Sequence, residues 1–475
     1  MLWWTLQQLK AKSAATRLAA VEKLALESQE AAVLALMEAT RDPAKEVRRA
    51  AIAALARHPE SNPVPTLCKL ANDAELEIRC EVAAALGHLP GPQTFSVLLG
   101  LLSDSRGAVR WRSAKSLSKL RWTPSNMREM AAMQVAAGEY KSAARLGAPA
   151  IEPLRALLAD PDSQTRRHAL DALTTIADAR VVQVLIQAMK DDDAGVRVMV
   201  AEAMVQFPDP RVLPPLLLAL RDPASPVRAA AAQVLGKLGD PGSVDRLVET
   251  LRDTSWEVRK AVIEALGRLR DARAVEGLAG ALKDSDNDVR ETAVEALCQI
   301  GDPRALERLI LALCDPETSI RQAAASALMR LDRNWERSDS AQRAIPELKA
   351  ALKSRDYWIR QSAAEVLTRI GKNQSSMRGL QRGIGGAGQF RNDVAIQILS
   401  DALRDGDRDL RQAAVEALGR IGDHSLCEPM SSLLQDHDEV VRDSARTALM
   451  ALGWPPPDNV ILLQPRTADK WAKAM

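Results

Sequence analysis

The sequence predicts an all-α fold, a right-handed α-solenoid (superhelix) of about thirteen stacked helical hairpins. Three observations carry that prediction. Arginines recur every 31 residues, leucine or methionine stands seven positions after each, and the segments between them show the 3.6-residue apolar period of a helix.

The arginines stand at 17, 48, 79 and 110, then at 166, 197, 228, 259, 290 and 321, and finally at 360, 411 and 442. Within the first two blocks each step is 31 residues, as from Arg48 to Arg79 or Arg228 to Arg259. A period of this size marks one supersecondary unit repeated in a stack, not a set of separate globular domains. Leu55, Leu86, Met204 and Leu418 illustrate the apolar residue at offset seven. Offset three carries small or β-branched residues (Ala51, Val82, Ala231, Ala414), and offset six is usually alanine (Ala54, Ala172, Ala265, Ala417). Offsets three, six, seven and ten lie on one helical face. Alanines there let a neighbouring helix approach closely, so added bulk would overpack the contact.

A second amphipathic segment precedes each such helix, as in VVQVLIQAMKD (181–191), SVDRLVETLRD (243–253) and ALERLILALCD (305–315). LGDP (238–241) and IGDP (300–303) supply glycine to end one helix, aspartate to cap the next, and proline for its first turn. Each unit is therefore a hairpin that cannot bury its own apolar face, and its neighbours complete the core.

The pattern D-x5-R-x2-A-x3-L-G-x-[LI]-G-D, seen in DTSWEVRKAVIEALGRL (253–269) and DGDRDLRQAAVEALGRIGD (405–423), resembles HEAT repeats. It is similar especially to the short 31-residue bacterial type also found in phycobilisome lyases, and the resemblance to HEAT repeats spans roughly residues 10–453. The period and its interruptions divide the chain into N-terminal repeats (1–122), a helical insertion (123–149) and central repeats (150–331). There follow a repeat with a short insertion (332–371), a Gly-rich basic loop (372–391), C-terminal repeats (392–453) and a Pro-rich tail (454–475).

The first interruption, RWTPSNMREMAAMQVAAGEYKSAARLGAP (121–149), reads as one or two short helices with Trp122 and Tyr140 as packing aromatics. The second centres on LDRNWERSDSAQ (331–342). The third holds RGIGGAGQ (382–389), whose Gly383, Gly385 and Gly388 match the spacing of a dinucleotide-binding turn. That turn works only where a strand feeds it and a helix N-terminus faces the pyrophosphate. GKNQSSMRGLQR upstream has no strand-like alternation, so the segment reads as a projecting basic loop carrying Lys372, Arg378, Arg382 and Arg391.

An aspartate stands six residues before nearly every periodic arginine, with Ala11 and Ser354 as the exceptions. In HEAT proteins the equivalent residues form a ladder between repeats, and the resemblance implies the same role here, not a phosphate-binding stripe. An exposed pair of this kind contributes only ~0.2–1 kcal/mol, which suits a role in register. On the second helix, Glu264–Arg268, Glu365–Arg369 and Glu416–Arg420 have the order of favourable i,i+4 pairs and should neutralise the C-terminal half of that face.

The second helix of a HEAT unit usually lines the concave face, so its outward offsets are the candidate contact positions. In the N-terminal half these are Arg49, Trp111, Arg112, Arg167, His168 and Met199, to which the loop adds Arg378 and Arg382. Trp and Arg are enriched at interaction hot spots, and Met adapts to varied partners.

The composition narrows the function. The 475 residues carry 64 Lys+Arg against 62 Asp+Glu, a net +2 that gives no general attraction to nucleic acid or an anionic membrane. No apolar run reaches membrane-spanning length, and MLWWTLQQLKAK lacks the features of a signal peptide. Cys68, Cys80, Cys298, Cys314 and Cys427 are too scattered for a disulfide framework or zinc site and suit free thiols in the cytoplasm. The five histidines form none of the repeated His-Glu dyads of di-iron HEAT hydroxylases. The expectation is a non-enzymatic scaffold or adaptor that binds a protein partner, with no catalytic, cofactor or metal residues. The alternatives are a phycobilisome-lyase-like chromophore lyase or isomerase and, with less support, a HEAT-like DNA-binding protein.

Overall fold

A computed structural model describes residues 2–382 and 394–454, apart from the side chains of 373–382. All regular secondary structure among them is helical. The glycine triplet at 383–388, the rest of the segment to 391, and the tail beyond Trp454 lie outside the described residues. The chain divides into two units, 1–234 and 235–475.

In the first unit, first helices such as Glu30–Ala39, Pro92–Leu101 and Arg180–Ala188 alternate with arginine-bearing second helices. The latter include Ala14–Leu24, Lys45–Leu55, Leu76–Leu86, Gly107–Lys119, Ser163–Thr174 and Ala194–Ala203. Lys45–Leu55 packs on both Ala14–Leu24 and Leu76–Leu86, and this contact repeats to make a layer. The faces at offsets three, six and seven are closed to solvent, as at Ala51, Ala54 and Leu55 or Val82, Ala85 and Leu86.

The 121–149 insertion is a truncated hairpin. Asn126 caps Met127–Ala137 by accepting from the Glu129 N–H, and Gly138 ends that helix in the left-handed region at φ +86°. Met127–Ala137 packs on Gly107–Lys119, and the short helix Tyr140–Ala144 packs on Ser163–Thr174. Trp122 packs partly buried against the core.

In the second unit, Val244–Thr250, Val275–Ala281, Leu306–Ala312, Asp339–Ala351, Val394–Ala402 and Cys427–Ser431 are the first helices. Trp256–Leu269, Asn287–Ile300, Thr318–Leu331, Tyr357–Arg382, Arg408–Ile421 and Glu439–Ala451 are the second. Gly301 takes φ +75°, Asp302 accepts from the Arg304 N–H at 2.9 Å, and Pro303 opens the next turn, as IGDP predicts. Glycine also sets how closely second helices approach. A Cβ on Gly236 would lie 2.6 Å from the Ala265 Cα, and one on Gly419 would lie 2.6 Å from the Ala448 Cβ.

The 331–342 insertion forms the single turn Trp335–Arg337, which buries Trp335 beneath Arg369. Arg369 also donates to Glu336 at 2.6 Å, a partner no periodic rule supplies. Tyr357–Arg382 continues as helix through 372–382, residues that the sequence reading assigns to the loop. The correction follows from propensity: Lys, Gln, Met, Arg and Leu there are good helix formers, and an isolated glycine lowers helix stability by only about 1 kcal/mol.

The Arg–Asp ladder is present in both units. In the first, Arg17–Asp42, Arg79–Asp104, Arg110–Asp160, Arg166–Asp191 and Arg197–Asp222 pair at 2.7, 2.8, 2.6, 2.8 and 2.8 Å, and Arg48–Asp73 at 3.5 Å. In the second, Arg259–Asp284, Arg290–Asp315 and Arg411–Asp436 each pair at 2.7 Å. Every rung is anchored at both ends. Arg197 also donates to the Asp191 carbonyl of its own repeat at 2.7 Å, while Asp222 accepts from the Ala224 N–H at 2.9 Å. These side chains are largely buried, so the rungs are not the exposed pairs that the sequence suggests, and breaking one strands a desolvated charge.

The ladder changes where the sequence departs from it. Ser354 offers no carboxylate, and Arg321 instead donates to Thr318 Oγ1 at 2.8 Å and lies 5.5 Å from the ring centroid of Trp358. Arg360 donates to Asp409 at 3.0 Å.

Candidate interaction surface

The rung Arg110–Asp160 fixes the rotation of helix Gly107–Lys119 about its own axis. Trp111, one residue further on, is thereby turned outward and is 46% exposed. Lys115, one turn along, places its Nζ 4.8 Å from the Trp111 ring centroid, and the Arg112 guanidinium lies 5.6 Å from it. Both distances are within the range of cation–π attraction. Helix Gly107–Lys119 carries Arg110, Arg112, Lys115 and Lys119 and no acidic residue. Lys119 Nζ lies 2.7 Å from Nε2 of His88 on the preceding repeat.

The other candidate residues have separate surroundings. Arg49 is exposed and stands 3.4 Å from Glu81. Arg167 donates to Asp193 at 2.7 Å, and that hydrogen bond holds the Asp193 carboxyl below the usual carboxylate range. His168 stacks on Tyr140 of the insertion, with ring centroids 5.9 Å apart and planes inclined by 22°. Met199 is half-buried. The side chains of Arg378 and Arg382 lie outside the described residues. The structure therefore unites Trp111 and Arg112 with a residue the sequence reading omitted, Lys115.

The omission has a readable cause. Offset five is acidic in seven other units, at Glu22, Asp171, Glu202, Glu264, Glu295, Glu365 and Glu416, so the reversal of sign at Lys115 was a usable signal. Trp256, Tyr357 and Trp358 are also exposed on second helices of the second unit. They precede their arginines, where a search of the following offsets does not look. Tyr357 and Trp358 meet edge to face at 5.3 Å.

The opposite layer of the first unit presents open grooves between first helices. One, of about 500 Å³, is lined by Arg155, Leu158, Gln187, Lys190 and Asp191. Another, of about 440 Å³, is lined by Glu152, Arg180, Gln183 and Arg211. Their charges pair locally: Arg155 meets Glu152 at 2.8 Å, and a hydrogen bond from Arg180 lowers the Asp178 carboxyl to about 2. Among the described residues no cluster of His, Cys, Asp or Glu is arranged to hold a metal ion. No helix among them is long and apolar enough to cross a membrane.

Two layers of helices, repeated hairpin by hairpin and pinned at most steps by a buried Arg–Asp rung, define an α-solenoid repeat protein. The family model for HEAT repeats matches residues 4–75, 64–133, 151–233, 213–291, 275–368 and 377–450, and the chain belongs to that family. No curated protein matches it.

Proposed function

We propose that the chain is a non-enzymatic scaffold or adaptor that binds a protein partner along the outward face of its second helices. HEAT repeats commonly mediate protein–protein interaction, and a repeat stack offers an extended surface suited to many modest contacts. The observation that carries the reading is Trp111, an exposed aromatic in a chain with 3% aromatic residues, flanked by two cations on a helix fixed by a buried rung. Tryptophan and arginine dominate interaction hot spots, and a side chain on a rigid element loses less freedom on binding. The 31-residue step supports assignment to the short bacterial type of repeat, and five free cysteines support a cytoplasmic location.

The test is site-specific photo-crosslinking in cells of the native source. A crosslinker at Lys115 should capture a discrete protein, whereas one at Gln187, in the groove of the opposite layer, should not. Capture from Gln187 alone, or from neither position, contradicts the proposal.

A further inference from the structure

We infer that the face of helix Gly107–Lys119 docks an acidic peptide segment of the partner; this rests on the scaffold reading and specifies its chemistry. Along the second-helix layer, cations of one helix are matched by carboxylates of the next. Lys45 meets Glu77 at 3.1 Å, Arg49 meets Glu81 at 3.4 Å and Arg167 meets Asp193 at 2.7 Å, and in the second unit Lys260 meets Asp288 at 2.8 Å.

Helix Gly107–Lys119 breaks this rule on both sides. Glu77 and Glu81 of the preceding helix are already engaged by Lys45 and Arg49. On the other side lies the insertion: its helix Met127–Ala137 packs on Gly107–Lys119 and carries Glu129, which accepts from Ser125 at 2.6 Å, while the short helix Tyr140–Ala144, preceded by Glu139, carries only Lys141. Arg112 and Lys115 consequently have no ion pair among the described residues, and Arg106 at the head of the helix is exposed. From Ser105 to Arg128 the chain carries seven basic residues and no acidic one. The two carboxylates of the truncated hairpin, Glu129 and Glu139, form no ion pair with Arg112 or Lys115 among the described residues.

The size and chemistry of this zone fit a peptide better than a nucleic acid. It is bounded by Glu77 and Glu81 on one flank and by Asp171 on the other, so no continuous cationic track leaves it. A thirteen-residue helix is about 20 Å long, the span of roughly six extended residues. The Trp111 ring already has two cations within cation–π distance, so a carboxylate has charged donors at hand where a base would have to share the ring with them. A carboxylate can accept from Arg112 and Lys115 without displacing either from the ring, and ionised partners strengthen such hydrogen bonds.

The full chain tests this with three fluorescein-labelled probes, octaglutamate, octalysine and a short single-stranded oligothymidylate, read by anisotropy at two salt concentrations. Octaglutamate should bind saturably and more weakly at high salt. The double variant Arg112→Glu/Lys115→Glu should bind it at least about tenfold more weakly, and Arg330→Glu, an exposed change in the second unit, should leave it unchanged. If circular dichroism shows that the double variant has lost helix, Lys115→Gln decides, with a loss of about threefold expected. Tighter binding of oligothymidylate, no saturable binding of octaglutamate, or no effect of these substitutions overturns the inference. A crosslinked partner that still binds the double variant overturns it too, while leaving the scaffold reading intact. Failure to crosslink any protein at Lys115 counts against the scaffold reading itself.

Discussion

Arg110 and Asp160 are separated by 50 residues in the chain and by 2.6 Å in the fold, and both side chains are almost wholly buried. The truncated hairpin lies between them in sequence, so the rung passes across the insertion and keeps the ladder continuous. Asp160→Ala should therefore destabilise the first unit by about 3–5 kcal/mol, because it leaves the Arg110 guanidinium buried and unpaired. Arg110→Met combined with Asp160→Leu should be far less destabilising than the two single changes added together. Lys45→Ala, which breaks the half-exposed pair with Glu77, should change stability by less than about 1 kcal/mol. Urea unfolding measures all of these.

The ladder also sets an acid limit. Hydrogen bonds from Arg17 and Arg411 hold the Asp42 and Asp436 carboxyls below their ordinary value. A carboxyl with a depressed folded pKa contributes its full stability above the unfolded value, near 4, and loses it as pH falls through the lower folded one. Stability should stay level from neutrality to about pH 4 and then decline, and Asp42→Asn should flatten that decline. Urea midpoints across pH 2–7 would show it; a decline beginning near pH 6 contradicts the assignment to these carboxyls.

Ser354 leaves Arg321 without a rung carboxylate, and Trp358 partly substitutes for it. Ser354→Asp should restore the rung and raise stability by about 1 kcal/mol, with a change in tryptophan fluorescence as Arg321 leaves the Trp358 ring. A lower melting temperature would show that this junction does not follow the common geometry.

Two glycines on helices should respond in opposite directions to the same change. Alanine is intrinsically better than glycine in a helix by about 1 kcal/mol. At Gly280 an added Cβ meets nothing within 4 Å, so Gly280→Ala should be stabilising. At Gly236 it would meet the Ala265 backbone, and overpacking of ~1–3 kcal/mol should exceed the propensity gain. Thermal melts of the two variants compare the terms directly.

The stack was legible because each repeat interface imposes one constraint many times: arginine for the rung, leucine for the core, and alanine or glycine for close approach. What happens at the interruptions was not. Arg369 and Glu336 meet because an inserted turn brings them together, and neither lies in a periodic register with the other. Glu416 faces a different surrounding from the one its i,i+4 spacing suggests: its carboxylate accepts from Gln412 and Ser444, and Arg420 donates to its carbonyl. The Glu264–Arg268 pair does form, at 3.4 Å. At the candidate surface Trp111 and Arg112 stood out as residue types, whereas Lys115 depended on noticing a reversed charge. That the neighbouring carboxylates were already engaged was visible only in three dimensions.

The most direct measurement is the affinity of the protein captured at Lys115 for the wild-type chain and for Trp111→Ala, by isothermal titration. Trp111 is half-exposed and is not a member of the ladder, so the variant should melt close to the wild type. If Trp111 anchors the partner, truncation should weaken binding by 2 kcal/mol or more, about thirtyfold in Kd. An unchanged affinity in a normally folded variant would remove the second-helix face of the first unit as the docking surface.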